Sequence, residues 1–304
     1  MDVLLIHKNK AYLPEVPAYK EYFNKNSPFN FHDINDIGER DLHDFKVLWT
    51  FMGIDKLRRL NQNQIIIHEY NSLSVGKYAP LKDFLKKHLN IQPNLRIFLN
   101  HQVREKYNFS ESTPYLYRDM GVHESFFVAE KAKKEYDFTY VGVISKERKT
   151  YNLLNYFKYK LKKQTILLIG QPPDDIYQEF KQCSNIIFTG RIAYRHVSSL
   201  ASKAIYGINY IPDSYPFNLQ TSTKLIEYFA MGLKVVTTDY QWVQCFEKKN
   251  NIKIFKINEN LDNFNMHSIN NFDHQQVDVT NYRWEKIIEE SGIIQYLNRV
   301  VCQD

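Results

Sequence analysis

Residues 211–238 read IPDSYPFNLQTSTKLIEYFAMGLKVVTT, and this stretch decides the fold. A strand ends at Ile211-Pro212, a polar loop follows, and Thr221, Ser222 and Thr223 stand before a helical run. Any of the three hydroxyl residues suits the N-cap, where a side-chain oxygen accepts a bond from a free N–H of the first turn. Gly232 stops the helix in the usual C-terminal position. Residues 234–237, Lys-Val-Val-Thr, then read as a buried strand. Free N–H groups and the positive dipole end at the start of such a helix form an anion site suited to a diphosphate. Glu227 projects from the first turns, where a carboxylate can accept hydrogen bonds from both hydroxyls of a ribose. The expected site is one in which the helix end holds phosphate and Glu227 holds sugar.

Outward from this segment the same alternation continues. Short apolar runs at 3–6, 47–49, 65–67 and 96–99 read as strands in the first half, and 138–143, 165–169, 186–188, 205–211 and 234–237 in the second. Helical stretches at 151–162, 174–182, 194–202 and 223–231 separate the later ones. In the first half, Leu81, Phe84, Leu85 and His88 follow helical spacing, with Lys82, Lys86 and Lys87 expected on the outside. Strands alternating with helices imply parallel sheets. The alternation occurs twice, around a polar, Lys-rich segment at 129–137 that reads as a linker. The expected fold class is α/β, with two Rossmann-like, doubly wound parallel-sheet domains facing across a cleft. Such sheets bind ligands at the carboxyl ends of their strands.

Composition narrows the chemistry. The chain has 304 residues and 10 glycines, well under the usual share of roughly 7%. The closest two, Gly38 and Gly53, are 15 apart, so neither a Gly-x-Gly fingerprint nor a Walker loop can be written. A formal charge of +6 suits an anionic ligand or membrane surface and is weak support for nucleic acid. Cys183, Cys245 and Cys302 form no C-x-x-C pair, which fits a reducing compartment. The opening MDVLLIHKNK has four consecutive apolar residues, short of the roughly 7–15 of a signal peptide. A cytoplasmic protein, able to sit on the inner face of the plasma membrane, is the expectation.

The segment S-T-K-L-I-E-Y-F-A-M-G-L-K-V-V resembles the donor-site segment of the group-1 (family 4) retaining glycosyltransferases, S-P-x-K-x-x-E-x-x-A-x-G-x-P-V-V. Ser222, Lys224, Glu227, Ala230, Gly232, Val235 and Val236 match. The first glutamate of that family's E-x7-E pair would fall at Leu219, a departure that bears on recognition of the transferred sugar and leaves the nucleotide half untouched. Tyr140-Val141-Gly142 followed by Lys146-Glu147-Arg148 resembles the opening strand of the family's nucleotide-binding domain. Arg148 takes the place of the phosphate-binding lysine, and Val143 that of an arginine. Arg118 to Phe126, RDMGVHESF, resembles the interdomain segment. His68, at the end of a strand, would contact donor sugar or phosphate and is the catalytic candidate. YRWEKII at 282–288 resembles the Trp helix that returns to the first domain.

The resemblance implies the GT-B fold: an acceptor domain at 1–136, a nucleotide-sugar domain at 137–280 and a returning helix at 281–304. It implies a hexosyltransferase that moves sugar from a nucleotide-diphosphate donor to an acceptor hydroxyl with retention, as in cell-surface glycan synthesis. The donor site would comprise Gly142, Arg148, Thr221, Ser222, Thr223, Lys224 and Glu227. No Asp-x-Asp pair and no His-Glu-x-x-His motif occurs, so neither metal nor cofactor is expected. Expected partners are the donor, a glycan or glycolipid acceptor and an anionic membrane surface, and no nucleic acid. Plainer readings stand beside these: Glu227 as a solvated helix residue, His68 as a structural hydrogen-bonder, and 151–163 as a sheet-covering helix with a wet basic face. A non-catalytic nucleotide-sugar or glycan-binding module of the same fold is the alternative function, motivated by Leu219 and Val143.

Overall fold

The structure is a computed structural model that describes residues 1–8, 12–51, 63–74, 78–110, 112–127 and 132–301. Residues 129–131 of the expected linker and Cys302 lie outside the described residues. The chain divides into two units, Met1–Gly121 with Tyr282–Asp304, and Val122–Asn281.

The first unit runs β1 (Asp2–Ile6), α1 (Glu15–Asn26), β2 (Asn30–Asp33), β3 (Val47–Phe51), β4 (Ile65–Tyr70), α2 (Ala79–Leu89), β5 (Leu95–Phe98), α3 (His101–Tyr107) and β6 (Tyr115–Tyr117). Its six strands lie in the order β2-β1-β3-β4-β5-β6, with every pair parallel. The order reverses between β1 and β3. All six residues of β4 are buried, which is why it reads as an unbroken run instead of an alternation.

The second unit contains β7 (Tyr136–Val141), α4 (Thr150–Tyr159), β8 (Ile166–Ile169), α5 (Asp174–Phe180), β9 (Ile186–Phe188), α6 (Val197–Ala201), β10 (Ala204–Asn209), α7 (Thr223–Ala230), β11 (Lys234–Thr238), α8 (Gln241–Asn250), β12 (Phe255–Ile257) and α9 (Met266–Asn271). Its sheet order is β12-β11-β10-β7-β8-β9, again all parallel. Here the reversal lies between β7 and β10. Phe138, Leu154, Phe157, Tyr206 and Phe264 belong to one buried cluster, so α4 covers the sheet as its plainer reading held.

The last helices, α10 (Trp284–Glu290) and α11 (Ile293–Val301), belong to the first unit. Ile288, Ile293 and Leu297 join the core of that unit beside Val3, Trp49 and Ile67. Gly121 makes room for the Trp284 ring: a Cβ there would sit 2.4 Å from it.

Three strands escaped the pattern reading: β2, β6 and β12. Each has three or four residues, and β6 alternates exposed Tyr115 and Tyr117 about Leu116 at the sheet edge, so the apolar signal is short. The expected linker also gives up its last two residues, since β7 begins at Tyr136.

The orientation of α2 is a correction. Leu81 and Phe84 were expected inside; they are 54% and 56% exposed, and Leu89 is 60% exposed. Ala79 is the buried residue of this helix. Of the lysines expected outside, Lys82 is exposed, whereas Lys86 and Lys87 are half-buried and bonded. Lys86 donates to Ser74 Oγ at 2.8 Å and pairs with Asp83 at 3.2 Å, and Lys87 donates to the Asn108 carbonyl. Helical spacing shows that a helix has an apolar stripe; it does not show what covers the stripe.

Candidate functional site

Ligands of doubly wound sheets bind beyond the carboxyl ends of the strands, where the strand order reverses. In the second unit that place is a cavity of about 210 Å³, lined by Tyr140 to Val143 after β7, by 208–211 at the end of β10, and by Arg148 and Lys224. Gly142 turns the chain there with φ +144°, a conformation L side chains rarely adopt. Its carbonyl also approaches Gly170 so closely that a Cβ at 170 would lie 2.1 Å away.

Arg148 sits in the turn between β7 and α4, where its N–H donates to Ser145 Oγ at 3.2 Å. The guanidinium lies over the Phe217 ring, 4.1 Å from its centre. Burial lowers its pKa and the neighbouring Tyr140 works the other way. Burial in turn pushes the Tyr140 phenol up to about 12, so it remains a neutral donor, bonded to the Val143 carbonyl at 3.0 Å.

The N-cap of α7 is Ser222. Its Oγ accepts from the Leu225 N–H at 3.4 Å and donates to Asn209 Oδ1 at 2.7 Å. Asn209 Nδ2 donates to Thr237 Oγ1 and to the Tyr240 hydroxyl, both at 2.9 Å, which ties the start of α7 to β10 and β11. Thr221 precedes the cap, buried, and Thr223 opens the helix. One turn on, Glu227 is 1% exposed. Tyr194 O–H donates to its Oε1 at 2.7 Å, and Lys224 Nζ donates to its Oε2 at 2.8 Å.

Of the residues singled out from sequence, Gly142, Arg148 and Lys224 thus line one cavity. Ser222 reaches it through Asn209 and Glu227 through Lys224. Leu219 is buried. His68 belongs to the first unit, fully buried in β4, with Nδ1 3.5 Å from the Tyr70 hydroxyl. Burial, reinforced by Arg96, pushes its pKa down to about 3, which keeps the imidazole neutral.

Sequence reasoning did not find Tyr194, Asn209 or Phe217. Phe217 lies inside the decisive segment and Asn209 just before it, and a polar residue ending an apolar strand was a usable signal for Asn209. Nothing in the sequence ties Tyr194 to Glu227.

It also missed a buried polar cluster near the carboxyl ends of β1 and β4. Glu69 accepts from Trp49 Nε1 at 2.7 Å and from Tyr19 O–H at 3.3 Å, and pairs with Arg118. Asn71 bridges Arg118 and Glu15. Glu15 is 1% exposed, its Oε2 has no protein partner, and burial raises its pKa against the opposing pull of Arg118. His7 Nε2 lies 3.1 Å from Asp33 Oδ1. His7 follows β1 and Glu15 opens α1, so both lie by the β1/β3 reversal of the first sheet.

Among the described residues no group of three His, Cys, Asp or Glu side chains is placed to hold a metal ion, and no helix is long and apolar enough to cross a membrane.

No protein-family model and no curated protein matches the sequence. Solved structures do match by fold. HepE from Anabaena, in complex with UDP and glucose, has a TM-score of 0.62 at 10% identity, over 100% of this chain and 98% of that one. AviGT4, a glycosyltransferase involved in avilamycin A biosynthesis, has a TM-score of 0.63 at 10% identity, over 99% and 97%. The Methanocaldococcus jannaschii UDP-GlcNAc 2-epimerase, in complex with UDP-GlcNAc and UDP, has a TM-score of 0.57 at 10% identity, over the whole of both chains. These likenesses show that the chain has the GT-B fold, with two six-stranded parallel sheets flanked by helices.

Proposed function

We propose that the chain is a family 4 glycosyltransferase that takes a hexose from a nucleotide-diphosphate donor and passes it to a hydroxyl of a glycan or glycolipid, with retention. The observation that carries this reading is the cavity at the β7/β10 reversal, with Arg148 and Lys224 on its wall and the capped start of α7 beside it. Both cations and the positive dipole end of α7 would meet a diphosphate, stabilising charge where it develops as the sugar leaves. We read this as sufficient without a metal ion. Glu227 would take the ribose: a carboxylate offers about four acceptor positions, and Tyr194 and Lys224 use two. UDP recurs in the named complexes of the structural neighbours, which makes a UDP-sugar the first donor to test.

Retention and family membership rest on the resemblance of 222–236. The acceptor would bind the first unit, where His7, Glu15 and Asp33 gather by its own switch point, with His68 as the catalytic candidate carried by resemblance. A role in cell-surface glycan synthesis at the inner face of the plasma membrane agrees with the outward apolar face of α2, Leu81, Phe84 and Leu89, with Lys82 exposed beside it. Nucleic acid has no part in this reading.

The test is a thermal-shift screen of nucleoside diphosphates, since a ligand bound only by the folded state raises apparent stability. UDP release from UDP-sugars with and without EDTA, and NMR of the product anomer, follow. No stabilisation by any nucleoside diphosphate would end the proposal. A nucleotide-sugar epimerase is the second reading, because one such structure covers the whole chain. Epimerised sugar without an acceptor would favour it.

A further inference from the structure

The first unit has a cleft of about 330 Å³ at the carboxyl ends of β5 and β6. Three places in the chain supply its wall: Leu99 and His101 where β5 passes into α3, Tyr117 and Asp119 at the end of β6, and Ile287 and Glu290 near the end of α10. All of them belong to the first unit. The returning helix therefore contributes to a site as well as to the core.

The wall combines an apolar plate with hydrogen-bonding groups. Tyr117 is 37% exposed. Its ring stands edge-on to Tyr115, with centres 5.5 Å apart at 64°, and 6.3 Å from the ring of His101. Leu99 and Ile287 add apolar surface. His101 Nδ1 lies 3.5 Å from Glu105 of its own helix, so Nε2 is the nitrogen that can meet a ligand. Glu290 is exposed, and Lys286, one turn earlier, gives its amine to Glu289 at 2.9 Å. Asp119 is fixed by the Met120 N–H, which donates to Oδ1 at 2.8 Å.

The charges decide the class of ligand. Two carboxylates and, among the described residues, no lysine or arginine line the cleft, so a phosphate would be repelled. Recognition of a quaternary ammonium uses a cage of several aromatic faces, and one tyrosine lines this cleft. A sugar ring suits both parts of the wall. Its C–H face can lie on Tyr117, and its hydroxyls can donate to Glu290, since an ionised carboxylate only accepts and O–H to carboxylate bonds are among the strong ones. The volume falls in the range of roughly 300–1,000 Å³ usual for small-ligand sites.

We propose that this cleft is a subsite for a neutral sugar of the acceptor, away from the point of transfer. The proposal rests on the glycosyltransferase reading. The cleft shares the carboxyl edge of the first sheet with the β1/β3 reversal, three strand spacings along the order, or roughly 14 Å. An acceptor whose reacting hydroxyl lies at the reversal reaches the cleft only with a further sugar, so the subsite selects oligomeric acceptors over single sugars.

Ligand-observed NMR titration of the full chain, with and without UDP, tests it. The probes are the methyl glycosides of glucose, galactose, mannose and N-acetylglucosamine, with choline and inorganic phosphate for comparison. Saturable binding of at least one glycoside is expected, weakened about tenfold in Glu290→Gln and at least as much in Tyr117→Ala, and retained in Tyr117→Phe. UDP binding should be the same in every variant. No saturable binding of any glycoside, tighter binding of choline or phosphate than of every glycoside, or a Glu290→Gln variant that is folded by thermal melt and binds unchanged would overturn the subsite. UDP bound with no glycoside bound would sink the subsite alone, whereas failure of UDP to bind would count against the glycosyltransferase reading on which it rests.

Discussion

The hydroxyl of Tyr194 donates to Glu227 Oε1 at 2.7 Å, joining the turn before α6 to the second turn of α7. Lys224 holds the other carboxylate oxygen, so the charge of Glu227 stays paired at 1% exposure. Neither bond uses up the carboxylate, and its remaining lone pairs are the acceptors that the proposed ribose contact requires.

Glu227→Ala should therefore weaken UDP binding about ten- to a hundredfold, since hydrogen bonds to charged groups are worth ~1.5–3 kcal/mol each. Calorimetric titration measures it, with a melting curve to show that the variant is folded. Affinity equal to wild type would remove Glu227 from the site.

Arg148 is held over Phe217 on the wall of the cavity. If it meets the diphosphate, Arg148→Gln should lower UDP affinity by about tenfold and leave uridine affinity unchanged. An equal loss for both ligands would mean that Arg148 shapes the pocket without touching phosphate.

Gly207 lies in β10 directly beneath Tyr228 of α7, whose hydroxyl accepts from the Val141 N–H at 3.0 Å. A Cβ at 207 would sit 2.4 Å from that ring. Gly207→Ala should cost about 1–3 kcal/mol, because a close-packed core has no slack. A melting temperature within a degree or so of wild type would show that α7 can shift outward.

His68 is pushed down to about 3 by burial, whereas an unfolded histidine titrates near 6.5. The unfolded chain therefore takes up the proton first as pH falls. The stability associated with the neutral His68 is fully present above about pH 6.5 and is lost progressively as pH falls toward the folded value. Denaturant titrations over that range should show a stability slope that flattens in His68→Gln. An unchanged slope would mean that other groups govern acid unfolding.

Much of the second unit was legible in residues 211–238, because a buried strand, a capped helix and a glycine stop are local features encoded by neighbouring residues. Arg148 and Gly142 were legible only by position relative to a strand. The short strands β2, β6 and β12 were not legible, since three or four residues carry too little pattern.

The order of residues by itself pointed to nine of the strands and to the helices between the later ones, implied that the sheets are parallel, and excluded a glycine-rich loop for phosphate. Tertiary structure decided what those segments face. It paired Tyr194 with Glu227 across 33 residues of chain, buried His68, and turned α2 so that Lys86 packs and Leu81 and Phe84 meet solvent. The physical reason is one of range. Helical and strand periodicities are set by backbone geometry within a few residues. Burial and hydrogen-bond partners depend on surfaces that come together only when distant strands align.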